Sequence, residues 1–342
     1  MIKKIFLILL MLIVISLTYL YWYTQHLTSQ SLTNEINISW QVESGHGVIQ
    51  TLAKMEKKGL IVNSKHLSWY LRITGLPKIK QGEYTLPKKI TVMDALSIFE
   101  KGQSVQYSVT FVEGKTVQEF LALLTEVKQI EHKIENMSEL EILKALNSPY
   151  MRLEGVIFPD TYFYQKGDSD LDILKRANAK LEQVLKVQWE NRADDLPYKS
   201  SYEALIMASI VEKETGVAYE RPEIAGVFVR RLLKKMRLQT DPTVIYGLGD
   251  QYNGNLTRKH LKTPSDYNTY LNYGLPPTPI AASGEEAIFA ALNPSKGSSL
   301  YFVAKGDGTH YFSTNLDEHN NAVNQYQRYK RNKENYQSAP IQ

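Results

Sequence analysis

Two glutamates two residues apart, Glu212 and Glu214, close the segment 200–216 (SSYEALIMASIVEKETG), whose body is apolar almost all round. Burial disfavours the charged form of a carboxyl, and the negative end of a helix dipole disfavours it again. A carboxylic acid kept protonated near neutral pH is a general acid, able to give a proton to a leaving oxygen such as a glycosidic one. Residues two apart point to nearly opposite sides of a helix, so the pair cannot work together and at most one is the acid. Glu214 falls beside Met207 and Ile210, Glu212 beside Leu205 and Ala208. The helix wheel does not choose between them. The plainer alternative is a solvated helix end, with Lys213 completing a surface patch.

The elements around this pair follow from caps and periodicity. Ser200 with Glu203 three residues on reads as a capping box, so a buried helix starts there and stops at Gly216. Residues 168–195 carry i, i+3, i+4 apolar spacing and predict a long amphipathic helix packed against it. Pro222 opens a further helix with Ile224, Val227, Phe228 and Leu232 on one face. Asp241-Pro242 reads as an N-cap followed by the first helical turn, which makes capping the default explanation for Asp241. Leu153–Tyr164 (LEGVIFPDTYFY) reads as strand, tight turn, strand. Residues 105–113 alternate as a strand, Thr116–Leu124 reads as a helix, and 125–150 as charged helical surface. Residues 300–314 read as a hairpin turning at Lys305-Gly306-Asp307-Gly308, with His310 on the return strand.

Nearer the start, helices are predicted around Val48–Met55, over His66–Thr74 and over Thr91–Lys101, with a short strand after Gln81-Gly82. Lys3 and Lys4 precede nineteen uncharged residues, Ile5–Tyr23, enough to span a hydrocarbon core. The run ends in Tyr19, Tyr21, Trp22 and Tyr23, an interfacial aromatic belt, with no small-residue cleavage site. The expectation is a single-pass plasma (inner) membrane anchor with a cytoplasmic N-terminus and an exported body. Residues 24–44 are polar and read as a stalk.

Composition narrows the class. Forty basic against thirty-six acidic residues in 342 give +4, too weak a balance to argue for nucleic acid. The absence of cysteine rules out disulfide and thiol chemistry. No HExxH spacing occurs, and Gly247-Leu248-Gly249 lacks the glycine of a nucleotide loop, so neither metal nor cofactor is expected. The 22 tyrosines suit saccharide surfaces, though they also fill cores.

In order along the chain, LEGVIFPDTYFY (153–164), MASIVEKETG (207–216), RLQTDPTVIYGLG (237–249), YNTY (267–270), GLPPTPI (274–280) and YFVAKGDGTHYFSTNLDEHN (301–320) resemble the motifs of the endolytic murein transglycosylases, the YceG-like family. The resemblance implies cleavage of the MurNAc-β-1,4-GlcNAc bond within nascent peptidoglycan strands, leaving 1,6-anhydroMurNAc ends, close to peptidoglycan synthases. It implies an α+β fold: a transmembrane helix (5–23) after a cytoplasmic start (1–4), the stalk (24–44), a small LysM-like α+β subdomain (45–103), a catalytic α+β domain with a buried central helix (104–330) and a polar tail (331–342). Glu214 corresponds to the catalytic acid, because Glu214-Thr215 resembles the Glu-Ser pair of other lytic transglycosylases, with Glu212 the alternative. Gln239, Thr240, Asp241, Tyr267, Asn268 and Tyr270 would orient the saccharide, or else anchor their loops. His310 would polarise a substrate group, or else be a strand histidine satisfied by its neighbours, and Tyr246 belongs to the core. Two other functions fit the same residues: a non-catalytic wall-binding scaffold, and a two-carboxylate hydrolase pairing Glu214 with Asp241.

Overall fold

Apolar residues spaced through the polar stretch after the first helix turn it into packed structure. Leu27, Leu32, Trp40 and Val42 are all buried, so residues 24–44 are not a stalk. Polar composition hid a sparse apolar series whose members each meet a partner. The structure, a computed structural model, describes residues 2–329; the polar tail lies outside them. It divides into two units: one of residues up to Tyr107 with Gln129–Glu131 and Phe163–Asp168, the other of Ser108–Lys128, His132–Tyr162 and the described residues from Ser169 on.

The first unit begins with α1 (Ile2–Ser29), long and apolar enough to cross a membrane, its apolar run exposed. Strands β1 (Ile38–Val42) and β2 (Gly82–Leu86) pair antiparallel with Trp40 opposite Tyr84. Helices α2 (Val48–Lys57) and α3 (Ser64–Thr74) lie between them in sequence, and α4 (Val92–Lys101) follows. One core joins Leu32, Trp40, Leu52, Met55, Leu67, Tyr84 and Phe99. Each such side chain contributes roughly 1.5–3 kcal/mol by leaving water. Thr91 caps α4 reciprocally with Asp94, and Gly102 ends it at φ 72°, as the sequence predicts.

Short strands β3 (Tyr107–Thr110) and β4 (Thr161–Tyr164) have residues in both units. Of the predicted strand, turn and strand over 153–164, only β4 forms. Leu153–Phe158 is buried irregular chain instead, because Gly155 holds φ 75° and a Cβ there would lie 2.3 Å from Pro279. Between them come α5 (Val117–Thr125) and α6 (Glu139–Ala145). The predicted helical surface over 125–150 thus shrinks to seven residues.

The second unit is built on α8 (Ser201–Glu214), with Ser200 accepting the Glu203 N–H as N-cap. Ala204–Val211 is buried at every position, so this helix needs neighbours all round. They are α7 (Asp170–Glu190), α9 (Arg221–Leu233), α10 (Asp241–Leu248) and α11 (Glu285–Leu292). The last of these is the helix's most extensive partner. Its EEAIFAAL is too short to show a period beyond doubt and escaped the sequence reading. A hairpin of β5 (Tyr301–Ala304) and β6 (His310–Ser313) and helix α12 (Leu316–Val323) complete the unit.

Candidate active site

The last helical residue of α8 is Glu214, and its side chain lines a cleft of about 450 Å³. Protein surrounds the carboxyl densely, yet Glu214 keeps some accessible surface. Thr240 donates its hydroxyl to Oε1. Burial dominates the electrostatics and pushes the Glu214 carboxyl up to about 7; the Thr240 hydroxyl and the Arg231 cation pull it down, while the Asp241 charge pushes it up. A carboxyl poised there can give and take a proton near neutral pH.

The first wall is laid by 238–241. Gln239 sits at φ 53°, an uncommon left-handed backbone for a residue other than glycine, and its N–H donates to the Thr269 carbonyl at 3.2 Å. Thr240, not Asp241, is the N-cap of α10. Asp241 is its first helical residue because the Thr240 backbone is the extended one, and its side chain accepts the Tyr270 hydroxyl at 2.6 Å instead of capping. Burial first, and Asp241 next, raise the Tyr270 phenol, which therefore stays a donor.

Behind this wall Arg231, 7% exposed, donates to the Leu238 and Leu300 carbonyls, both at 2.7 Å. Its guanidinium lies 5.0 Å from the centre of the Tyr301 ring. The hairpin forms the opposite wall with Tyr301, Phe302, Val303, Ala304 and His310. His310 is gripped twice by the buried Glu220: Nδ1 lies 2.8 Å from Oε2, and the backbone N–H donates to Oε1 at 3.0 Å. That grip fixes the ring and leaves Nε2 without a hydrogen-bond partner among the described residues.

Glu212 turns the other way. Its side chain is 6% exposed, lies 3.6 Å from the Arg221 guanidinium and accepts the Gly284 N–H at 3.0 Å. It does not line the cleft. Burial raises its pKa too, but its neighbours tie it to the start of α11. A Cβ on Gly284 would fall 2.0 Å from a Glu113 carboxylate oxygen, so a side chain there would push Glu113 aside. Lys213, read as a member of a surface patch, donates to the Gly114 carbonyl at 3.0 Å.

Of the residues singled out in the sequence, Glu214, Gln239, Thr240, Asp241, Tyr270 and His310 line one cleft, whereas Tyr267 and Asn268 do not. Asn268, 1% exposed, donates to the Leu261 and Thr263 carbonyls and accepts the Tyr270 N–H. It is a loop anchor, the alternative its side-chain chemistry allowed. Tyr267 meets the Thr278 hydroxyl at 2.8 Å and packs edge-on against Tyr246.

Sequence reasoning missed Arg231, Tyr301 and Glu220. Arg231 stands among Arg230, Lys234 and Lys235, where a solvated basic face is the ordinary reading. It also missed Glu154, a buried carboxyl pushed up to about 7 mainly by burial. The Glu214 environment makes a directional prediction. Thr240→Val should raise the pH at which Glu214 titrates, and Asp241→Asn should lower it, as read by infrared titration of the carboxyl stretch.

Comparison with known proteins adds four findings. A model of the YceG-like family matches residues 40–325. The endolytic murein transglycosylase of Bacillus subtilis is 31% identical over 318 residues, covering 86% of this chain and 86% of that protein. The endolytic murein transglycosylase of Streptococcus pneumoniae R6 is 27% identical over 82% of this chain, which spans only 57% of its length. Among solved structures, a YceG-like protein of Listeria monocytogenes matches with a TM-score of 0.53 and 28% identity, over 84% of this chain and 99% of that one.

Proposed function

The chain belongs to the YceG-like family, and on that premise we propose that it is an endolytic lytic transglycosylase, cutting the MurNAc-β-1,4-GlcNAc bond inside peptidoglycan strands and leaving 1,6-anhydroMurNAc ends. The observation that carries this reading is the Glu214 carboxyl, densely enclosed, pushed up to about 7 and lining a cleft.

Protonated Glu214 gives its proton to the glycosidic oxygen as the C1–O bond breaks. Positive charge develops at C1, beside the Asp241 carboxylate, whose position the Tyr270 hydroxyl fixes. The Glu214 carboxylate then takes the proton of the sugar's own C6 hydroxyl while O6 bonds to C1. One proton passes from O6 to the leaving oxygen, and no water is consumed. Holding O6 against C1 is an intramolecular advantage, so the protein supplies chiefly position and dryness. Gln239, Thr240 and Nε2 of His310 are the groups placed to hold the sugar's polar substituents. Glu212 is a structural residue on this reading.

The α1 helix serves as a single-pass anchor, with Lys3 and Lys4 on the cytoplasmic side and the rest extracytoplasmic. The order β1-α2-α3-β2 with antiparallel pairing supports a LysM-like unit in the first half. Such placement suits action on nascent glycan beside the synthases.

Digestion of peptidoglycan by the full chain in H₂¹⁸O tests the reaction. Mass spectrometry should find anhydro ends free of ¹⁸O. Reducing MurNAc ends carrying ¹⁸O would instead establish the two-carboxylate hydrolase, and intact strands the non-catalytic scaffold.

A further inference from the structure

Helix α3 carries an apolar stripe that the core of its own unit does not use. Ser64, Leu67, Ser68 and Leu71 face inward. On the opposite side Trp69 and Ile73 are 67% and 68% exposed, three and seven residues after His66 and so on the same face as it. Val62 before the helix and Leu76 after it are exposed as well. Lys65 and Arg72 flank the stripe, both exposed.

One contact sets the level of that stripe. The Tyr23 hydroxyl meets His66 Nδ1 at 2.7 Å, and the two rings pack edge-on, 5.9 Å apart. Tyr23 ends the apolar run of α1, in the aromatic cluster of Tyr19, Tyr21 and Trp22. The next turn of α1 packs into its unit, since Leu27 is buried there. Along a helix Trp69 lies about 4.5 Å from His66 and Ile73 about 10 Å. The interfacial zone on each side of a bilayer is about 5–7 Å deep. With Tyr23 at the end of the span, His66 therefore lies at the membrane surface when α1 crosses it, and Trp69 is one helical turn away on the same face.

We propose that the His66–Trp69–Ile73 face of α3 rests in the outer interface of the bilayer that α1 crosses, so that the first unit is fixed to the membrane at two places. Trp and a long aliphatic side chain suit that zone, and Lys65 and Arg72 suit anionic headgroups. The proposal rests on the anchor reading above, and one experiment separates the two.

The chain has no cysteine, so single cysteines can be placed and labelled with an environment-sensitive fluorophore. Trp22→Cys reports the span, Trp69→Cys and Ile73→Cys the stripe, and Lys101→Cys an exposed site elsewhere on the unit. The full chain is reconstituted in vesicles of phosphatidylcholine and phosphatidylglycerol with brominated acyl chains. Labels at 22, 69 and 73 should all be quenched, those at 22 and 69 about twofold or more, and that at 101 unchanged. Quenching at 22 with 69 and 73 no different from 101 overturns the proposal and leaves the anchor standing. No quenching at 22 overturns both.

Discussion

Glu214→Gln should lose peptidoglycan cleavage by about 10³-fold, within the range general acid–base groups contribute, or more if the same carboxyl serves both steps. Glutamine keeps the volume and can still meet the Thr240 hydroxyl, so the loss is chemical. Stability should move the other way. The folded-state pKa of about 7 lies above the 4.5 of a solvated glutamate, so the folded form binds the extra proton between the two. The stability that proton gives is complete below about pH 4.5 and lost as pH rises through about 7. Such a shift bounds the loss at roughly 3 kcal/mol, and the water-facing side of the carboxyl reduces it to on the order of 1–2 kcal/mol. At pH 8 the glutamine variant should thus melt at or above the wild type in a thermal scan, while cleaving about 10³-fold more slowly.

Arg221→Ala should be the most destabilising single change near the site, by about 3–5 kcal/mol in denaturant titration. Arg221 is 8% exposed, pairs with Glu212 and also reaches Glu286. Without it the Glu212 carboxylate is left buried with the Gly284 N–H as its charge-stabilising contact. Glu212→Gln keeps that contact and removes the buried charge. It should fold with a smaller loss and retain cleavage. Activity falling with Glu212→Gln and surviving Glu214→Gln would reverse the two roles.

Much of this site is local in the chain, which is why it could be read there. Caps fixed α4 and α8 because a Ser or Thr with an acidic residue three positions on states its own geometry. The buried helix ending in two glutamates was equally visible. The choice between those glutamates was not, because it depends on what stands opposite: Thr240 and the hairpin for one, Arg221 and Gly284 for the other. Tyr267 and Asn268 sit in the same tetrapeptide as Tyr270, yet only Tyr270 faces the cleft. Polar side chains in a tight loop are as well suited to holding it as to holding a ligand. The stalk failed as a reading for a related reason: Leu27, Leu32 and Trp40 are isolated in sequence and meet their partners only in three dimensions.

The most direct measurement is infrared difference titration of the full chain, wild type against Glu214→Gln. Glu154 also titrates near 7, but it is present in both and cancels. One protonated-carboxyl band should remain, absent from the variant and disappearing with a midpoint near pH 7. A band that disappears near pH 4.5, the value of a solvated glutamate, would contradict a proton donor held in the cleft.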